Sequence, residues 1–222
     1  MLKDEEKQKL DQEYKSLIEL YFDVKRLIVI AEKEDGEQRL SSSAIAELRS
    51  AFDHIMRAHQ IIYGVIDSSD VQSNTGYDEY KYCKENLSKA KGHVYRAGYD
   101  AYDVISIFSL DNIKGILQNH SIDIVIACIQ DAPKSIFHKL DEAKKLCTEA
   151  KTCKDVVSAS QEKLQYETYE RAVKELKKIE ILLLESIPLF EKFKKEKDKY
   201  FWKEIIFAIV IAFSFFLLGH FF

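Results

Sequence analysis

From Ile205 to Phe222 the chain reads IIFAIVIAFSFFLLGHFF, with no Asp, Glu, Lys or Arg and only Ser214, Gly219 and His220 interrupting the apolar run. As a helix its 18 residues reach about 27 Å, close to the roughly 30 Å hydrocarbon core of a bilayer. A core helix is seldom apolar on every face. The pattern therefore predicts one transmembrane helix over 205–222, with Phe201 and Trp202 as its interfacial anchor. Lys192, Lys194, Lys195, Lys197, Lys199 and Lys203 crowd before it, so the positive-inside rule expects the N-terminal part in the cytoplasm. Those lysines also suit anionic lipid head groups or, mixed with Glu191, Glu196 and Asp198, a solvated helix face. The run lies at the wrong end of the chain for a signal peptide.

Without that segment about 200 residues remain, enough for one helical domain or two small ones. The expected division is a helical sensor domain over 1–187, a basic juxtamembrane helix over 188–204 and the span over 205–222. Two prolines and seven glycines leave little punctuation for turns. A net charge of −4 gives no support to a wholly basic nucleic-acid binder, so any anion site must come from local clustering. Cys83, Cys128, Cys147 and Cys153 show no C-x-x-C pair and no Cys/His ligand spacing. Neither a disulfide framework nor a metal site is expected; buried thiols are. No cofactor motif is present: phosphate loop, dinucleotide fingerprint, H-E-x-x-H and nucleophile elbow are all missing from the sequence.

In order, Leu10, Tyr14, Leu17, Ile18, Tyr21, Leu27 and Ile28 recur at helical spacing and predict a helix from Lys3 to Glu34, ended by Asp35-Gly36. Ser41, Ser42 and Ser43 offer N-caps for a second helix running to about Asp67. Ser68 to Gly76 reads as a polar loop. A third helix starts near Tyr77 and passes Ser106, with Gly92 and Gly98 as tolerated interruptions or sites of close packing. Ile122 to Ile129 has strand propensity but no partner strand, and reads as a short buried helix. After Pro133 a long helix extends to about Ser186, with a break near Ser158, and Pro188 bends or ends it. The fold class is all-α: an antiparallel helical bundle with a single C-terminal transmembrane helix.

Two helices share a signature, H-x-x-R-A: His54, Arg57 and Ala58 on the second, His93, Arg96 and Ala97 on the third. A spacing of three places each His and Arg on one face, so four nitrogen-rich side chains converge if the helices pack together. Arg49, His59, Lys84, Lys89 and Lys91 lie nearby, and Tyr95, Tyr99 and Tyr102 are interleaved. Cations neutralise phosphates and aromatic rings stack on bases. The candidate nucleic-acid contacts are Arg49, His54, Arg57, Lys89, Lys91, His93, Arg96 and Tyr99. With Asp53, Asp100 and Asp103 in the same helices, these residues also read as Arg–Asp pairs that staple a bundle.

Arg49 and His54 also form R-x4-H, which resembles the motif of HEPN ribonucleases, where the Arg and His cleave RNA by acid–base chemistry. Ser50 departs from the Asn, Asp or His usual after that Arg. His120 and His138 lack partners at catalytic or metal spacing. In the apolar terminus, Ala208, Ala212 and Gly219 allow close helix approach. Ala208, Ala212, Phe215 and Phe216 are the candidate pore-lining positions if several copies assemble, with a Phe ring closing by dewetting.

Through ELRSAFDHIMRAH, KAKGHVYRAGYDAYD and the apolar terminus, the chain resembles the membrane effectors of bacterial anti-phage systems, most narrowly that of Hailong defence. The resemblance implies a non-enzymatic, homo-oligomeric inner-membrane channel, a tetramer being one arrangement. A single-stranded DNA oligomer made by a partner nucleotidyltransferase would hold it shut, and loss of that DNA would arrest growth. Alternatives are a membrane-tethered HEPN-like ribonuclease and a non-enzymatic scaffold.

Overall fold

The computed structural model describes the backbone of residues 2–34, 40–66, 68–153 and 159–221, and in that last stretch the side chains from 163 to 212. Among them every regular element is a helix: α1 (Asp4–Glu34), α2 (Leu40–Ile62), α3 (Ser68–Thr75), α4 (Glu79–Asn119), α5 (Ile122–Cys128), a π-helical segment (Pro133–His138), α6 (Lys139–Cys153) and α7 (Ala159–Phe221). The all-α expectation holds.

The chain divides into two compact units, Met1–Leu110 with Asp141–Lys177, and Asp111–Leu140 with Lys178–Phe222. In the first, α1 starts on Asp4, Glu5 and Glu6 and ends near Lys33, charges that complement the helix dipole at both ends. It buries Leu10, Leu17, Val24 and Ala31, and α2, packed against it, buries Ala44, Ala51 and Ala58. A spacing of seven keeps one seam of a helix against its neighbour along its length. The buried residues of α4 step by three and four, Cys83, Leu87, Ala90, Val94, Ala97 and Ala101.

α2 and α4 run antiparallel. Ser43 Oγ donates to Asp100 at 2.6 Å near the start of α2, and Cys83 Sγ lies 3.5 Å from the Ala58 carbonyl near its end. Burial pushes the Cys83 thiol up to about 11, and Cys147, also free and buried, likewise to about 11. Behind α4, Tyr166 of α7 sits among Tyr95, Tyr99 and Tyr102, with ring centroids 5.1–5.6 Å apart. Burial drives the hydroxyls of Tyr102, Tyr166 and Tyr169 far above the ordinary phenol range. Tyr169 donates to Asp103, which also pairs with Lys151 at 3.3 Å.

In the second unit Ile113, Ile124, Val125, Ile136, Leu183 and Phe190 are buried, and Asn112 donates to the buried Glu180 at 2.6 Å. His120 is buried on Phe190, its Nδ1 4.0 Å from Glu191; His138 is exposed.

Several expectations change. The helix α2 begins at Leu40, ahead of the serines that were to cap it. Ser68–Thr75 is helical rather than a loop: Val71 is buried, and Gly76, at φ +69°, closes the helix as a left-handed terminal glycine does. Pro188 neither ends nor divides α7. Proline removes one helical hydrogen bond, and the fully buried Leu183 and Phe190 on either side hold the helix. The expected break near Ser158 lies outside the described residues.

The membrane expectation is corrected as well. Among the described residues no helix is long and apolar enough to cross a membrane. Lys199, Lys203 and Glu204 directly precede the uncharged residues of α7 that begin at Ile205. The expected single-pass inner-membrane span is therefore not carried by any helix among the described residues. Of the pore positions, Ala208 and Ala212 are exposed, while Phe215 and Phe216 lie outside the described side chains.

Gly98 explains itself by packing: a Cβ there would lie 2.6 Å from Cε2 and 2.8 Å from the hydroxyl of Tyr166. That ring is wedged among three other tyrosines and cannot swing away. Gly98→Ala should lower stability by about 1–3 kcal/mol, the cost of overpacking a filled core, seen as a lower urea midpoint by circular dichroism.

Candidate nucleic-acid interface

The antiparallel crossing brings the two H-x-x-R-A segments together head to tail. Their alanines, Ala58 and Ala97, are fully buried, and small residues there let the two backbones approach. The histidines meet: the rings of His54 and His93 stack with centroids 5.3 Å apart and planes 20° from parallel.

Each imidazole is fixed by a side chain of the opposite helix. His54 Nδ1 lies 2.9 Å from Asn86 Oδ1, and the Asn86 amide nitrogen donates to the Tyr82 carbonyl at 2.9 Å. That orientation makes Asn86 Oδ1 the acceptor and His54 Nδ1 the donor. His93 Nδ1 lies 2.7 Å from Glu47 Oε2 and 2.8 Å from Arg96 Nη2. One nitrogen cannot serve both; the shorter contact, to a carboxylate that only accepts, makes Nδ1 a donor to Glu47. On both rings the tie is at Nδ1, which leaves each Nε2 as the second functional nitrogen. Glu47 stands seven residues before His54, and Asn86 seven before His93, so the two halves of the site mirror each other.

The arginines do not converge. Arg57 pairs with Asp53 of its own helix at 2.8 Å, whereas Arg96 Nε donates across to Glu47 at 3.0 Å. Burial alone would raise the Glu47 carboxyl, but hydrogen bonds from His93 and Arg96 and their charge outweigh it and hold it below the ordinary carboxylate range.

A pocket of about 380 Å³ opens beside the stacked rings, lined by Arg49, Ser50, Asp53, His54 and His93. Arg49 is exposed, and no hydrogen bond or ion pair joins it to a described residue. Lys89, one turn before His93, is likewise exposed and unpaired among the described residues. Since Asp53 and Glu47 are already matched by Arg57 and Arg96, Arg49 and Lys89 leave this region with surplus positive charge.

Of the sequence candidates, Arg49, His54 and His93 gather at the pocket, with Lys89 beside them. Arg57 and Arg96 are engaged in ion pairs. Lys91 pairs with Glu13 of α1. Tyr99, only 2% exposed, packs on Tyr166 and Tyr169 and presents no stacking face. Sequence reasoning missed Glu47 and Asn86, although their seven-residue lead on each histidine was visible. Among the described residues no group of three or more His, Cys, Asp or Glu could hold a metal ion.

No protein-family model, curated protein or solved structure matches this chain.

The depressed Glu47 carboxyl has a pH consequence. A carboxylate whose folded pKa is lowered stabilises the fold above its unfolded pKa, near 4.5, and that contribution disappears as pH falls through the folded value. Wild-type Tm should therefore drop more steeply than that of Glu47→Gln on acidification below about pH 5, a difference that thermal melts at a series of pH values would record.

Proposed function

We propose that the α2–α4 pocket takes the phosphate backbone of a single-stranded nucleic acid, and that the chain is a non-enzymatic effector controlled by that ligand. One observation carries the reading: Arg49, with no described partner, shares a pocket with two stacked imidazoles whose Nδ1 atoms are both tied back. Arg49 supplies a fixed positive charge, and each Nε2 either donates to or accepts from a phosphate-linked oxygen.

The resemblance to Hailong effectors supports DNA as that strand and a nucleotidyltransferase, acting through its product, as its source. It also supports assembly of several copies, since one strand bridging subunits would favour a single arrangement of them. Its part in anti-phage defence is read from the same resemblance. Transmembrane conduction is no part of this proposal.

A second reading is favoured by one feature, the placing of Arg49 and His54 of R-x4-H in the same pocket as a second histidine. Two imidazoles suit RNA cleavage: one takes the 2′-hydroxyl proton as that oxygen attacks phosphorus, and the other protonates the departing 5′-oxygen. Labelled RNA separates the two. Intact RNA after incubation supports binding alone; cleavage that His54→Ala abolishes supports the nuclease.

For the binding reading, Arg49→Glu should weaken capture of a labelled oligodeoxythymidylate at least about tenfold at low salt and reduce the salt slope by about one. Fluorescence anisotropy over a salt series reads both. An unchanged affinity and slope would remove Arg49 from the site.

A further inference from the structure

The side of α2 away from its alanine seam carries Ile45 (60% exposed), Phe52 (62%) and Met56 (44%). At 100° per residue these three lie within about 40° of one another around the helix axis. Arg49 falls at one edge of this stripe, and Asp53, Ser50 and His54 follow beyond it toward the pocket. Aromatic groups continue past Met56: His59 packs on Tyr14 at 5.2 Å and edge-on against Tyr63 at 5.4 Å, and Tyr63 is 74% exposed.

Phe52 has no role in the core, because Ala44, Ala51 and Ala58 make the buried seam of α2. It stands one turn from Arg49, the cation with no described partner, with about 5–6 Å between Cβ atoms at that spacing. A phosphate held by Arg49 brings the base of the same or the next nucleotide over this ring. In the interior of a duplex both faces of every base are already stacked, so along a strand only an unpaired base can lie on an exposed phenylalanine.

We infer that Phe52 is a base-stacking platform, flanked by Ile45 and Met56, that makes the α2–α4 site select unpaired bases over duplex. The occupant is an unpaired base, chosen over a second protein surface because the stripe borders the Arg49 guanidinium, which has no described partner, and the pocket it lines. This inference rests on the phosphate-binding reading of that pocket and adds to it how the strand is recognised.

The test uses the full chain and three labelled probes: a single-stranded deoxyoligonucleotide, an abasic strand of the same length that keeps the sugar–phosphate chain, and a hairpin duplex closed by a non-nucleotide linker so that every base is paired. Phe52→Ala should weaken the single strand by about five- to a hundredfold, the range of one lost stacking contact, and leave the abasic strand unchanged. Phe52→Tyr, which keeps the ring, should bind as wild type does, and wild type should favour the single strand over the hairpin. Arg49→Glu should weaken the single and abasic strands alike.

If Phe52→Ala weakens neither strand, or both equally, while Arg49→Glu still weakens both, stacking is overturned and the phosphate site stands. If Arg49→Glu weakens nothing, the phosphate reading fails and this inference falls with it. If Phe52→Ala lowers the sedimenting mass and leaves binding intact, the stripe joins copies of the chain, which also overturns the inference. Phe52 is largely exposed, so its alanine variant should melt as wild type does by circular dichroism.

Discussion

Everything at the candidate site depends on how closely α2 and α4 approach, and that closeness rests on alanine. Ala58 and Ala97, each the last residue of an H-x-x-R-A segment, are fully buried, as are the neighbouring Ala90 and Ala101. A larger side chain there would push the axes apart, and two imidazoles at stacking distance could not survive an added methyl or two. The histidines of this signature are thus positioned by its alanines. Its arginines have a different task, balancing Asp53 and Glu47 so that two carboxylates close to the pocket do not repel an anion.

Much of the helical layout was legible because long amphipathic runs announce themselves. The starts of α1 and α4 were legible to within a few residues, and α5 was read as a helix against its β-branched content because no partner strand was in sight. What failed were the punctuation marks. Gly76 looked like part of a loop and is the terminator of a helix whose one buried apolar residue is Val71. Pro188 looked like a break, but packing on both sides outweighs one missing hydrogen bond. The apolar terminus promised a membrane span that the described helix does not supply.

At the site the pattern was half readable. Spacing put His54 and His93 in position to meet on the condition that their two helices packed together, and they do. It could not assign Tyr99, because tyrosine suits a ligand face and a core equally well; the core won, around the space left by Gly98. A single chain also gives no sign that Glu47 serves the histidine of another helix, because the partner becomes visible only once the antiparallel register is fixed.

The Cys83 thiol sits in this same seam, fully buried with its sulfur against the Ala58 carbonyl and its pKa pushed up to about 11. At neutral pH it is almost entirely protonated, and the thiolate is the species that oxidants and alkylating reagents attack. The helix crossing that shapes the pocket is therefore chemically silent toward redox stress. Thiol-directed oxidants and disulfide exchange, which need a thiolate within reach, would leave the sulfur at this junction and the helix spacing it sits in untouched.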